Sequence, residues 1–462
     1  MYLGLAVAPA TWYNIIYTSK DVSIMEGGNQ MKKNAEKIRK LGVFLTICVS
    51  AAVMVGCGKG QESEKTEKLT VCTGSMQEYE VRKLVEAWQT MNDGIETEVI
   101  VVPSDDTLAE TKITELRTEI MSGGGPDVFI MPCDENTEKE DAPKLFPNPE
   151  KAMYSDLFLP LDDYISDAQY MDPDGWNQTI MDSGKTEEGQ VLLPLTYRYY
   201  AYVFRTADLE NPENLPESWE ELISDPDPMF GEFMSYEARE LLPYTFGKLA
   251  DYQEEKLLFS EEELQERVDE AFTWKDKTAT YQMETRPIAQ GKVEKAFCEA
   301  VDYAATEEET AIALPNDQGG ITAYVTVYAA INRNTEKPDQ AFSLLDFLFS
   351  DEIMTGDGFP GEDPLTGIGK GCNPPDNFNG GISVNLKAAQ KMSRNQVTKD
   401  LLERMDRRIN EVRYYSNLEN EIYWMVYKCL ARDKDSAPPL SAEERREVIH
   451  RTYEEMEMQM AE

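Results

Sequence analysis

The chain has 462 residues, and its 45 lysines and arginines against 86 aspartates and glutamates give a formal net charge of -41. This length allows two or three domains, and the acidic balance disfavours nucleic acid as a partner because like charges repel. The single histidine, His450, excludes most zinc hydrolases and the Cys-His and Ser-His-Asp hydrolases, which all need imidazole. A glycosidase that uses two carboxylates stays open, since it needs no histidine.

The first predicted element is an export signal. From Met31 the chain carries a basic front and then an apolar run of roughly 15 residues, which is short for a bilayer span of about 20. The run ends at Gly56-Cys57 and resembles a bacterial lipoprotein lipobox, in which the cysteine thiol receives a diacylglyceryl group. We therefore predict a signal peptide over 31–56 and lipidation at Cys57. An uncleaved membrane anchor is the alternative.

Composition assigns the segments beside the signal. Residues 1–30 look neither like a signal nor like a domain, and synthesis is predicted to start at Met31. The polar residues 57–67 are predicted to be a tether. Five cysteines follow at wide spacing and without a C-x-x-C motif, which predicts buried free thiols rather than a disulfide framework or a zinc site. These five are Cys72, Cys133, Cys298, Cys372 and Cys429.

Strands and helices then alternate, as is typical of a parallel sheet with right-handed crossovers. The predicted strands cover 69–73, 99–102 and 128–131, with an amphipathic helix before the second and another before the third. Ligand sites on such sheets lie at the carboxyl ends of the strands. The sequence therefore predicts ligand contacts directly after the first and third strands. The residues are Thr73, Gly74, Ser75 and Asp134.

Glycine and proline organise the turn before the third strand. The helix that precedes it runs into Gly123-Gly124-Gly125-Pro126. Glycine ends a helix and proline forbids its continuation. Asp127 follows at the mouth of the strand, where its side chain is expected to face a cleft. The alternative is that Asp127 only anchors the backbone of an ordinary helix-to-strand turn.

A dense group of planar side chains follows the apolar segment 191–196. Aromatic faces stack on sugar rings, and arginine can bind hydroxyls or a carboxylate through two donors. Tyr197, Arg198 and Tyr199 are therefore predicted to contact ligand, and Arg198 favours an anionic group if it faces the cleft. The alternative is that half of these tyrosines alternate into the core, as strand periodicity requires.

The rest of the chain is predicted to be helix-rich with two further strands. Capping boxes at Ser218, Ser260 and Ser441 each open a helix. Strands are predicted over 310–314 and 324–331, and helices return up to the C-terminus. The predicted ligand-contacting set is completed by three residues. They are Trp176, Gly320 and Tyr324.

The order of these motifs resembles the extracellular solute-binding proteins of ABC importers. The resemblance is closest to the carbohydrate-binding group (family 1) found as lipoproteins on Gram-positive bacteria. The motifs are the lipobox, Lys-Leu-Thr-Val, Leu-Arg-Thr-Glu-Ile-Met-Ser-Gly-x-Gly-Pro-Asp, Leu-Pro-Leu-Asp-Asp-Tyr, Gly-x-Val-x-x-Leu-Pro and Ser-Trp-Glu-Glu-Leu. They cover nearly all of residues 69–350 and, more loosely, the C-terminal helices.

This resemblance implies an α/β, two-lobed periplasmic-binding-protein-like fold of type II, in which each lobe is a sheet flanked by helices. Lobe one would hold 68–165 and 306–350, and lobe two would hold 166–305 and 351–462. The ligand would bind in the cleft between the lobes, which close over it as ligand shifts the population toward the closed form. The chain would cross between lobes near 197–204 and 321–328.

The resemblance also implies a function. The protein would capture a small solute, a sugar or oligosaccharide above all, and deliver it to ABC permease subunits while Cys57 anchors it to the outer face of the cell membrane. No cofactor, metal or catalytic step is implied, and a monomer is expected. A peptide or a modified sugar acid stays open as the solute. A lipid-anchored glycoside hydrolase and an adhesin or sensor-type receptor are the alternative functions.

Overall fold

The structure is a computed structural model, and it describes most of the chain from residue 68 onward. The described residues are 68–133, 143–209, 216–218, 221, 242–278, 293–297, 308–361, 367–372, 381–393, 395–430 and 440–461. The predicted signal, tether and Cys57 lie outside these residues, as do Asp134 and Cys298. Thr66–Glu462 form one compact unit.

Fourteen strands and twelve α-helices are named within the described residues. The strands are β1 (Leu69–Gly74), β2 (Thr97–Val102), β3 (Val128–Pro132), β4 (Lys185–Thr186), β5 (Gly189–Gln190), β6 (Leu193–Arg198), β7 (Tyr200–Arg205), β8 (Ala250–Asp251), β9 (Lys256–Leu257), β10 (Val293–Phe297), β11 (Glu309–Ala313), β12 (Ile321–Ile331), β13 (Ile382–Ser383) and β14 (Ile409–Tyr414). The helices are α1 (Glu78–Met91), α2 (Asp106–Met121), α3 (Pro149–Met153), α4 (Asp162–Ser166), α5 (Gln178–Asp182), α6 (Glu261–Thr278), α7 (Pro338–Leu348), α8 (Asp351–Met354), α9 (Leu386–Met392), α10 (Gln396–Asp406), α11 (Asn417–Leu430) and α12 (Ala442–Ala461).

The parallel part of the central sheet is confirmed. Strand β1 pairs in parallel with β2 on one side and with β3 on the other, and α1 and α2 connect these strands. The predicted amphipathic character of α1 is confirmed, since its buried face consists of four residues at helical spacing. These are Val81, Leu84, Val85 and Trp88. Because this face covers the sheet, the strand-helix alternation folds into one layered α/β unit.

The long strand β12 joins the two halves of the central sheet, whose order is β13-β6-β12-β3-β1-β2. Its second half, Val327–Ile331, pairs antiparallel with β3, and its first half, Ile321–Val325, pairs in parallel with β14. Strand β6 pairs antiparallel along its other edge. All eleven residues of β12 are buried, which is consistent with a sequence that is apolar at every position except two threonines.

A second, three-stranded sheet has the order β10-β7-β11. Strand β7 begins at Tyr200, and the single residue Tyr199 separates it from β6. The chain therefore passes from the central sheet into the second sheet through residues 197–200, which we call the aromatic segment. The predicted α/β class is confirmed, with a central sheet flanked by helices.

Two apolar cores support this arrangement. The larger surrounds the central sheet, and the smaller joins β8 and α6 to α11 and α12. The capping boxes of α6 and α12 are confirmed, since Glu263 and Glu444 accept from the backbone N–H of Ser260 and Ser441. Four of the five predicted free thiols are free and buried. Among the described helices, none is both long and apolar enough to cross a membrane.

Candidate functional site

Thr73 and Gly74 lie at the carboxyl end of β1, beside the end of β3. Thr73 is in register with Val101 of β2 and Ile130 of β3. Its side chain is completely buried, and its Oγ1 has no hydrogen-bond partner in the structure. A buried hydroxyl without a partner costs free energy, so this atom is a candidate for contact with a molecule from outside the chain.

Gln77 lies next to Thr73 and Gly74 and was missed in the sequence analysis. It precedes the first residue of α1, is completely buried, and neither its Oε1 nor its Nε2 has a hydrogen-bond partner in the structure. A Cβ on Gly74 would lie 2.7 Å from the Gln77 Oε1 and 3.1 Å from the Pro132 Cγ. Only glycine therefore lets the amide lie over the strand end. A lone glutamine before a helix gives no sequence signal, which is why it was missed.

Exposed side chains surround these buried groups. Met76 is 61% exposed and Tyr79 is 69% exposed, at the start of α1. Asp105 is the exposed N-cap residue of α2, and its carboxylate accepts from the backbone N–H of Leu108. We call residues 73–80 together with Asp105 the β1 rim. Ser75, which was predicted to contact ligand, is half-buried within it.

The end of β3 meets the strands that lead to the second sheet. The backbone N–H of Cys133 donates to the carbonyl of Thr326 over 2.8 Å. The hydroxyls of Thr196 and Thr326 lie 2.7 Å apart and share a hydrogen bond. Thr326 is also the position where the β12 partner changes from β14 to β3. We call the place where β6 and β12 meet at Thr196 and Thr326 the crossing.

The aromatic segment lies inside the molecule rather than on a surface. Tyr197 and Tyr199 are 1% and 0% exposed. The Tyr197 hydroxyl donates to the Asp406 Oδ1 over 2.8 Å and accepts from the Asn177 Nδ2 over 3.2 Å. Burial raises the pKa of Asp406 to about 6, although the Tyr197 hydrogen bond opposes this rise. Arg198 is 7% exposed.

The other predicted aromatic residues are also buried. Tyr324 is in register with Arg198 and packs against Tyr244, with 4.2 Å between ring centroids. The guanidinium of Arg413 lies 4.9 Å from the centroid of the Tyr324 ring. Trp176 packs against Phe349 in the larger core, with 5.4 Å between ring centroids. Their ligand contacts stay predictions, and their packing gives each a structural role.

Gly320 lies directly before β12. It is at the end of the strand that is distant from the residues that pair with β3. Its backbone N–H donates to the Asn316 Oδ1 over 3.0 Å, which closes the turn before the strand. A cavity of about 280 Å³ lies beside this turn and includes Asp317 and Arg267, whose charged groups are 3.4 Å apart. At about 3.3 Å per residue, the turn is roughly 20 Å from Thr326. The structure therefore does not bring Gly320 together with the β1 rim.

Asp127 lies at the amino end of β3, opposite to the β1 rim. Its Oδ2 accepts from the backbone N–H and the hydroxyl of Thr70, each over 2.8 Å, and its Oδ1 accepts from the Thr335 hydroxyl. The Lys337 Nζ is 3.6 Å from the same carboxylate. Asp127 is 5% exposed, so the structure favours the anchoring alternative over a ligand contact.

The turn before Asp127, Gly123-Gly124-Gly125-Pro126, also has a structural role. Gly125 has a φ of +95°, and a Cβ there would lie 2.8 Å from the Ile120 Cγ1. The Asn332 Nδ2 donates to the carbonyls of Gly124 and Pro126 over 2.9 Å each. The motif therefore ends α2, starts β3 and attaches both to β12. Of the predicted site, the structure brings together Thr73, Gly74 and Ser75 near the β3 end.

Comparison with known families decides what kind of protein carries this arrangement. Residues 73–355 match the family described as bacterial extracellular solute-binding protein. The chain belongs to this family. Because the match begins at Thr73, it includes the β1 rim, the crossing and α7. No curated protein matches this solute-binding protein.

Solved structures share the fold of this solute-binding protein. One is a family 1 extracellular solute-binding protein from Alicyclobacillus acidocaldarius, with a TM-score of 0.51, 14% identity, and coverage of 86% of this chain and 99% of that one. Another is a periplasmic oligogalacturonide-binding protein from Yersinia enterocolitica, with a TM-score of 0.50, 12% identity, and coverage of 85% and 100%. A de novo designed cysteine esterase also matches, with a TM-score of 0.50, 12% identity, and coverage of 85% and 98%. The α/β architecture is therefore of the periplasmic-binding-protein type.

No group of three or more histidine, cysteine, aspartate or glutamate residues in the described part of the chain is arranged to hold a metal ion. His450 lies exposed on α12, where its Nδ1 is 3.0 Å from the Glu261 Oε2. This ion pair with Glu261 raises the pKa of His450. The histidine is thus a surface residue, as its charged sequence context predicts.

Proposed function

We propose that this solute-binding protein is the substrate-binding lipoprotein of an ABC importer, which captures a small solute and delivers it to a membrane permease. Family membership across 73–355 is the observation that carries the proposal. The export signal and the lipobox-like Gly56-Cys57 support a position on the outer face of the cell membrane. Binding without a chemical step is proposed, because the family is one of binding proteins.

Two lobes that close over the solute are part of the proposal. Strands β6 and β12 cross together at Thr196 and Thr326, which is where a hinge would act. A closed form contacts solute from both sides and is therefore favoured by it. The β1 rim would form the lobe-one wall of the cleft, since sites lie at the carboxyl ends of parallel strands.

The sequence predicts that the chain passes between the lobes at about residues 166 and 350, and contacts within the chain suggest different boundaries. The Asp346 carboxylate on α7 accepts from the backbone N–H groups of Gln169, Tyr170 and Met171, each within 2.9 Å. The backbone N–H of Asn177 donates to the carbonyl of Val384. We therefore propose that lobe one also includes 166–195 and 351–393. Lobe two would then begin beyond Thr196 and resume near α10.

A sugar is the proposed solute class. The β1 rim offers a hydroxyl from Thr73, an amide from Gln77 and the exposed ring of Tyr79. Hydroxyls and amides pair with sugar hydroxyls, and an aromatic face stacks on the apolar face of a sugar ring. These are the groups that a sugar site needs, and they lie at one strand end.

A ligand screen tests the proposed function. The full-length protein is mixed with a library of oligosaccharides, amino acids and short peptides, and its unfolding temperature is measured. Because stabilisation grows with ligand concentration above Kd, one class of ligand should raise the midpoint of thermal unfolding. Mass spectrometry should show that this ligand is chemically unchanged. Conversion of the ligand to product would reject binding without catalysis. A flat response to every class would reject solute binding.

A further inference from the structure

We propose that the β1 rim selects an uncharged, hydroxyl-rich solute and rejects anionic ones. The inference rests on the proposed function and adds a rule for solute charge. It is carried by two buried polar side chains without partners, by an exposed aromatic ring, and by the sign of the charges around them. These features lie at the carboxyl end of β1 or at the starts of α1 and α2.

The buried groups match hydroxyls. The Thr73 Oγ1 and both polar atoms of the Gln77 amide lack hydrogen-bond partners in the structure, although both side chains are completely buried. A hydroxyl and an amide each donate and accept, as does a sugar hydroxyl, whereas a carboxylate only accepts. A carboxylate would therefore leave the Gln77 Oε1 without a donor. Both side chains are completely buried in this structure, so the proposal requires the residues that cover them to move before solute binds.

The exposed ring supplies a surface for a sugar. Tyr79 is 69% exposed and Met76 beside it is 61% exposed, which leaves two apolar side chains facing outward at the strand end. The Lys83 Nζ lies 5.7 Å from the Tyr79 ring centroid and donates to the carbonyl of Gly371 over 2.7 Å. Lys83 therefore lies over one face of the ring, which leaves the opposite face for a sugar. The ring can stack on the apolar face of a pyranose.

The charges around the rim disfavour an anion. Glu78 and Glu80 lie in the first turn of α1 and offset the positive end of its dipole. The exposed Asp105 begins α2 at the neighbouring strand end. Arg82 and Glu78 offset each other as an ion pair, at 2.8 Å from the Arg82 Nε to the Glu78 Oε1. With Lys83 over the Tyr79 ring included, three acidic and two basic side chains surround the rim, which leaves a balance of one negative charge. Arg198, the residue expected to favour an anion, is 7% exposed within the crossing strands.

The test uses pairs of sugars that differ only in a carboxylate. Gluco- and glucurono-oligosaccharides of the same linkage, and oligogalacturonides with their own methyl esters, are titrated into the full-length protein by calorimetry at low and physiological salt. The neutral member of a bound pair should bind at least about tenfold more tightly, and salt should narrow the difference because it screens the rim charges. A preference for the acid, or binding of peptides alone, overturns this inference and leaves solute binding intact. Absence of binding by every sugar and peptide overturns the proposed function itself.

Gln77→Met separates a binding role from a structural one. The substitution removes an amide that makes no hydrogen bond, so the unfolding midpoint should hold or rise while affinity falls about tenfold. Gln190→Met is the matched control, because the buried Gln190 Nε2 donates to the carbonyls of Met181 and Leu192. This variant should lower the midpoint and leave the affinity of the folded protein unchanged. A lower midpoint with unchanged affinity in Gln77→Met would show that the amide is structural and would overturn its assigned role.

The charge rule has its own variant. The double substitution Glu78→Gln and Glu80→Gln should strengthen binding of the acidic sugar about fivefold at low salt and change binding of the neutral one little, since each removed charge acts over a short range. Glu447→Gln, on the exposed surface of α12, is the control and should change the binding of neither sugar.

Tyr79→Ala should weaken binding of the neutral sugar up to about tenfold, because the variant loses the ring that stacks on it. Tyr154→Ala, at a tyrosine that is 38% exposed after α3, is the control and should leave this binding unchanged. Equal effects of the rim and control variants would overturn the proposal.

Discussion

Asp127 and Gln77 are both buried polar residues beside parallel strands, and their hydrogen bonds give them different roles. The Asp127 carboxylate has donors from Thr70 and Thr335. The Gln77 amide has none in the structure. A satisfied buried carboxylate stabilises the fold, whereas an unsatisfied buried amide destabilises it unless a ligand completes its bonds. The number of internal partners therefore separates structural residues from candidate binding residues.

Asp127→Ala is expected to reduce stability without changing the site. The substitution leaves the Thr70 N–H and two hydroxyls without their acceptor and removes the counter-charge of Lys337, 3.6 Å away. The free energy of unfolding should fall by roughly 2–4 kcal/mol, as measured by urea denaturation. Kd for the solute should stay unchanged at temperatures where the variant is folded.

Asp163→Ala, on an exposed turn of α4, is the matched control and should change stability by less than about 0.5 kcal/mol. If Asp127→Ala keeps its stability but loses affinity, the carboxylate contacts solute after all. The original sequence interpretation, with Asp127 facing a cleft, would then be correct.

At the scale of elements, the sequence predicts what local patterns determine. The strands β1, β2 and β3, the apolar face of α1 and the capping boxes of α6 and α12 follow from periodicity and from Ser-x-x-Glu spacing. These signals work because each depends on residues close in the chain.

The crossing strands were harder to interpret because their environment depends on distant pairing. β6 is flanked by β12 and β13, and β12 pairs with β3 and β14 as well. A central strand covered on both faces buries every side chain, so the run Tyr197-Arg198-Tyr199 lies inside although its composition is typical of a binding surface. The alternation predicted for a half-exposed strand does not apply there. The partners of Tyr197, Asn177 and Asp406, lie too far along the chain for local patterns to show them.

Asp406 makes the crossing sensitive to pH. Its folded-state pKa is about 6, raised by burial, against about 3.9 in an unfolded chain. The folded protein therefore binds this proton more tightly, and the stability that the neutral carboxyl contributes is lost as pH rises from about 4 through 6. Asp406→Asn keeps an oxygen acceptor for the Tyr197 hydroxyl and removes the charge. Its gain in stability over wild type should be about 2 kcal/mol larger at pH 8 than at pH 4.5.

Urea denaturation at several pH values measures this difference, with Glu447→Gln as the exposed control that should show no such dependence. A constant difference between Asp406→Asn and wild type across this range would mean that the carboxyl does not titrate near 6. In that case the crossing would hold a charged Asp406 throughout.

At the scale of the whole molecule, the distribution of charge fits an exported protein. The net charge is -41, yet five basic residues cluster directly before the apolar signal run. Such an acidic chain is repelled by anionic lipid surfaces. Retention at a membrane would therefore depend on a covalent anchor rather than on the protein surface.

Cys57→Ala tests that anchor. Two acyl chains hold a protein stably at a bilayer because each buried CH₂ contributes about 0.8 kcal/mol, so removal of the thiol should release the protein from the membrane fraction into the medium. Cys48→Ala, within the signal run, is the matched control and should stay with the membrane. Cell fractionation followed by mass spectrometry of the N-terminal peptide gives both the location and the lipid. If Cys57→Ala stays membrane-bound after a carbonate wash, the apolar run is retained as a membrane anchor, and the lipobox interpretation fails.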